Sequence, residues 1–254
     1  MTHHRPQISV FNLSTVLNDA QIEPVVAAIQ AQVNDDFQPE WGRGAHLIPV
    51  PTGQQPDEDH WWCGIFDDSD VANALGYHDL TPKGYPLAKV FAKTDLQYGQ
   101  QWSVTMSHEV LEMLGDPTIN LTAQVSNTEM YAYENCDAVE ADNLGYQKNG
   151  VQVSDFVTPA WFMPGYPGPF DFQGHTSETL ELAPGGYISV LDLGSGAGWT
   201  QKYGRLISNR APSASVPKVG SRRERRGRER DQWRKSDPEN HLDAHQLIFG
   251  DDSR

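Results

Sequence analysis

Met106-Ser107-His108-Glu109-Val110-Leu111-Glu112-Met113-Leu114-Gly115-Asp116 is the stretch on which the reading of this chain turns. Val104, Met106, Val110, Leu111, Met113 and Leu114 outline a largely apolar helix over roughly 104–114, and Gly115 and Pro117 supply its stop. On such a helix His108 and Glu112 stand one turn apart on one face. Two ligands on successive turns are the simplest start to a divalent-cation site, because the helix fixes their separation. Glu109 projects about 100° away, where a general base for a cation-activated water belongs. Charged groups beside apolar surface are costly unless they are paired or bound to a metal.

Salt bridges are a weak answer to that cost. Residues 1–204 carry seven Lys and Arg against 26 Asp and Glu, and residues 205–254 carry twelve against eight, giving the chain its net charge of −15. An acidic body argues against non-specific nucleic-acid binding and suits a cation or a basic partner. The third ligand is expected downstream, in the acidic segment Tyr131 to Tyr146, where Glu134-Asn135-Cys136-Asp137 reads E-x-x-D. Asp116 is nearer, but eight positions past His108 it lies about 80° round the helix and needs a turn at Gly115 to reach a cation. A His with two carboxylates is a hard ligand set. It suits zinc and also admits manganese, iron or calcium.

Ahead of the motif, Gln7 to Leu13 alternates as a half-buried strand, and Asn18 or Asp19 caps an amphipathic helix marked by Ile22, Val25, Val26, Ile29 and Val33. His46–Val50, Trp61–Phe66 and 87–94 read as strands. His78, in Gly76-Tyr77-His78-Asp79, reads as a hydrogen-bonded loop residue ahead of a ligand or a substrate contact. Behind the motif come strands at 151–157 and 187–193, and a Pro/Gly/aromatic loop from Pro159 to Pro169. Gly194 to Gly198 mimics a methyltransferase glycine loop, but too little chain follows to complete a parallel sheet. Cys63 and Cys136 are expected as free buried thiols. From about Ser208 the composition turns polar and then Arg-rich (222–230), as in a disordered tail whose prospective partners are RNA, an anionic membrane or an acidic protein. No apolar run is long enough to span a membrane and no signal-peptide core follows Met1, so a cytoplasmic location is expected.

The motif resembles the H-E-x-x-H of zinc peptidases, with Glu112 in place of the second histidine. His108, Glu109 and Gly115 fit the first, second and eighth places of the metzincin pattern H-E-x-x-H-x-x-G-x-x-H, while its last place holds Thr118. The order strand, helix, strand, strand, strand, motif helix resembles the N-terminal half of these zincin metallopeptidases. Over roughly residues 7–204 the chain is also similar to zincin-like bacterial and phage proteins that pair S-H-E-x-x-E-x-x-x-D-P with E-x-x-D and S-D-F-V-x-P-x-W-F. These motifs are Ser107–Pro117, Glu134–Asp137 and Ser154–Phe162 in this sequence.

The resemblance implies an α+β, zincin-like domain over residues 1–207, followed by the basic tail 208–254. Its mixed twisted sheet would carry a long N-terminal helix, an active-site helix and a loop-rich C-terminal subdomain. It implies a metallopeptidase-like hydrolase with one divalent ion, zinc first, held by His108, Glu112 and a carboxylate from Glu134, Asp137 or Asp116. Glu109 is the base. It also implies that 87–94 is an antiparallel edge strand against which a peptide or protein substrate lies. Lys89 and Phe91 would then contact substrate, and one of Tyr131, Tyr133 and Tyr166 would help to polarise its carbonyl. The alternative is an inactive zincin-derived binding or structural protein in which the metal only stabilises the fold.

Overall fold

The computed structural model describes residues 5–70, 74–81 and 83–204. The expected disordered tail, with its Arg cluster, lies outside the described residues. The chain opens with β1 (Gln7–Asn12) and α1 (Asp19–Gln32). Asn18 caps α1 in a reciprocal capping box with Gln21. The helix runs on through a π turn, Val33–Phe37, into α2 (Gln38–Trp41) and ends at Gly42 in the left-handed region. Next come β2 (His46–Val50), β3 (Trp61–Phe66), β4 (Gly76–Leu80), β5 (Pro86–Phe91), a short α3 (Ala92–Gln97) and the motif helix α4 (Trp102–Gly115).

These five strands form one sheet in the order β2-β1-β3-β5-β4, all parallel except β4, which runs antiparallel to β5. The fold is therefore mixed α and β with a mixed sheet. The segment 87–94 was expected at an edge. It instead lies between β3 and β4, and its last residues turn into α3. The edge belongs to β4, where a loop was expected at His78. The Gly84-Tyr85-Pro86 turn was the sequence's hint of a hairpin there.

The alternation of the strands sorts their side chains to two faces. Ile8, Val10, Cys63, Ile65, Ala88 and Val90 share a core with α1 and α4. Phe11, Trp62 and Leu87 form a smaller cluster on the other face. Burying α4 on this sheet removes its apolar side chains from water, at roughly 1.5–3 kcal/mol for each large one.

After α4 the chain builds an antiparallel sheet in the order β11-β10-β7-β6, from β6 (Thr122–Gln124), β7 (Glu129–Ala132), β10 (Tyr187–Asp192) and β11 (Trp199–Tyr203). The glycine stretch 194–198 is thus the connection between two antiparallel strands. Between β7 and β10 lies the hairpin of β8 (Tyr146–Lys148) and β9 (Val151–Val153), turned by Asn149 and Gly150, both at positive φ. Trp161 is fully buried in a second core with Val157, Phe162, Ile188 and Val190. Trp41 packs against both cores. Among the described residues no helix is long and apolar enough to cross a membrane.

Candidate metal centre

Two close approaches bring the site together. β4 lies over the middle of α4, and a Cβ on Gly76 would stand 2.7 Å from Thr105 Cγ2 and 3.0 Å from Glu109 Cγ. Glycine at 76 lets the edge strand settle on the helix. At the other end, a Cβ on Gly115 would stand 2.9 Å from Asn135 Nδ2. Asn135 packs there and donates to Leu111 O at 3.1 Å, which docks the E-x-x-D loop on the last turn of α4. Arg43 closes the same turn by donating to the carbonyls of Leu114 and Gly115. Behind α4, Ser107 donates to Gln32 Oε1 at 2.7 Å and accepts from Ser154 N at 3.0 Å, which joins α1, α4 and the segment after β9.

The result is a buried group of imidazoles and carboxylates. His108 Nε2 lies 3.2 Å from Glu112 Oε1 and 3.3 Å from Asp137 Oδ1. One ligand atom from each of these three residues lies within 4.8 Å of the others. The arrangement matches the donor set of a divalent-cation site, two hard oxygens and one imidazole nitrogen. Cys136 N donates to Glu112 Oε1 at 3.4 Å and helps to orient it. Burial disfavours a charge on His108, but Glu112 and the hydrogen bonds to Asp137 and Glu112 outweigh it and raise its pKa well above the ordinary value.

His78 completes the group, and the sequence placed it in a loop. It pairs in register with Ala88, so its side chain shares the face that carries α4. It is fully buried. Its Nδ1 lies 3.5 Å from Glu109 Oε2 and from Glu112 Oε2, and its Nε2 lies 3.9 Å from Glu134 Oε2. His78, Glu112 and Glu134 form a second group with ligand atoms within 4.8 Å of one another. Polar neighbours and a missing apolar partner hid this strand from a periodicity reading.

The other expected residues fall as follows. Asp116 is buried, but its oxygens accept from the N–H groups of Asn120 and Leu121, both at 3.0 Å, so it shapes the turn after α4. Lys89 and Phe91 alternate with Ala88 and Val90 and lie on the sheet face away from α4. There Lys89 pairs with Asp70 and lies over the rings of Phe66 and Tyr77. Tyr133 packs among Trp41 and Phe162, with ring centroids 5.2 and 4.5 Å away, and burial raises its pKa. Tyr131 Oη accepts from Lys202, and Tyr166 is exposed. Cys63 and Cys136 are both free and buried. Burial, then the charge of Glu109, pushes the Cys63 thiol up to about 12.

No family model, no curated protein and no solved structure matches the chain.

Proposed function

We propose that this chain is a divalent-metal-dependent hydrolase of the zincin-like kind, with zinc held by His108, Glu112 and Asp137 and with peptide bonds as its substrate class. The convergence of those three side chains carries the reading. Two further features support the zincin likeness. The motif helix follows a largely parallel sheet, and the antiparallel edge strand that the resemblance implies is provided by β4, beside α4.

A bound divalent cation supplies Lewis-acid polarisation of a carbonyl and lowers the pKa of a water. The protein's own part is positional. Helix α4 fixes His108 and Glu112 one turn apart, and the docked E-x-x-D loop brings Asp137 to them. Glu109, one residue on from His108, accepts the proton of the attacking water and returns it to the leaving amine. An extended peptide lies along the outer side of β4, which among the described residues pairs only with β5.

A second reading, a cation that only staples α4 to the E-x-x-D loop, is favoured by the depth of the ligands, since Glu112 is fully buried and Asp137 2% exposed. One experiment separates the two. Purified Glu109→Gln protein is assayed for metal content and for cleavage of a peptide library beside the wild type. The hydrolase reading predicts equal metal content and loss of at least 100-fold in cleavage, the lower range for a missing general base. Equal cleavage by the variant, or no cleavage by the wild type, contradicts it.

A further inference from the structure

Glu112 is turned toward two different partners. Its Oε1 lies 3.2 Å from His108 Nε2, while its Oε2 lies 3.5 Å from Nδ1 of His78, whose Nε2 is 3.9 Å from Glu134 Oε2. We propose that the centre is a two-cation site in which Glu112 bridges, one divalent ion being held by His108, Glu112 and Asp137 and a second by His78, Glu112 and Glu134. This rests on the reading of Glu112 as a metal ligand given above.

Two observations carry the second position. First, one ligand atom from each of His78, Glu112 and Glu134 lies within 4.8 Å of the others. Second, its members come from three separated parts of the chain, β4, α4 and the loop after β7, each held by its own anchor. Gly76 admits β4, the helix fixes Glu112, and Asn135 pins the loop that carries Glu134.

A pair of cations clamps both the attacking and the leaving atoms of a displacement. Glu109 Oε2 also lies 3.5 Å from His78 Nδ1 and so borders the second position.

The test is metal stoichiometry on the full chain. Protein stripped with a chelator is titrated with Mn²⁺ and, separately, with Zn²⁺, and bound metal is measured after gel filtration. The proposal predicts two ions per chain for the wild type, and one for His78→Ala and for Glu134→Gln. It also predicts an exchange-coupled Mn²⁺ electron paramagnetic resonance spectrum for the wild type alone. That spectrum decides the matter if either variant fails to fold. A wild type that binds one ion, or binds two with an uncoupled spectrum, overturns the bridged pair and leaves the hydrolase reading standing. Variants that still bind two ions overturn it as well. A wild type that binds none overturns both readings.

Discussion

Asp155 shows how far burial alone moves a carboxyl in this protein. It is fully buried, and that burial, followed by the charge of Asp171 and a hydrogen bond shared with it, pushes its pKa up to about 8. Asp171 goes the other way. Desolvation opposes its charge, but Thr176 and the backbone N–H groups of His175 and Thr176 outweigh it and lower its pKa. One proton is therefore shared by the pair. An unfolded Asp ionises near 3.8, while Asp155 in the folded chain keeps its proton to about 8. The contribution of Asp155 to stability is whole below about pH 3.8 and is lost as pH rises toward 8. Asp155→Asn, which cannot ionise, is expected to flatten the fall in urea midpoint between pH 5 and pH 8. An unchanged fall would contradict the assignment. At this scale the sequence was legible where a motif carried the residue, as for His108, Glu109, Glu112 and Asp137. It ranked a loop reading of His78 above a ligand, because the place of His78 beside α4 comes from a strand register that no local pattern encodes.

Among the elements, α4 was the most legible, because its apolar residues, its Gly stop and the following Pro all agree. The strand at 87–94 was half right. Ala92-Lys93-Thr94-Asp95-Leu96-Gln97 follows β5 directly and closes into a turn of helix, with the N–H groups of Lys93 and Thr94 bonding to Asp67 O. The E-x-x-D loop was legible as a ligand source, but its docking was not. That depends on Asn135 reaching the space left by the missing Cβ of Gly115. Asn135→Ala removes a buried hydrogen bond and leaves Leu111 O without this donor, at a cost of about 1–3 kcal/mol in stability. It is also expected to weaken cation binding, because Glu134 and Asp137 flank it. Isothermal titration of the variant with Zn²⁺ checks this. Affinity equal to the wild type, in a folded variant, would show that the loop is held by other contacts.

Over the whole molecule, the order of the strands was beyond the sequence. Alternation marks a strand and its two faces but not its neighbour, and so the edge was assigned to the segment before the motif helix and not to β4. The acidic excess was legible from the start. Its consequence at the centre, a group of buried carboxylates faced by imidazoles, needed the fold. Such a centre is expected to make stability depend on metal. If His108, Glu112 and Asp137 bind a divalent ion in the folded state, the thermal unfolding midpoint of chelator-stripped protein responds to that ion. With Zn²⁺ at 100 times its dissociation constant, linkage gives about 2.7 kcal/mol of added stability. For a domain of this size that raises the midpoint by roughly 5–10 °C. That rise is expected for the wild type, and its loss in a folded His108→Ala variant. A midpoint that Zn²⁺ and Mn²⁺ leave unmoved, or that rises equally in the variant, would contradict it.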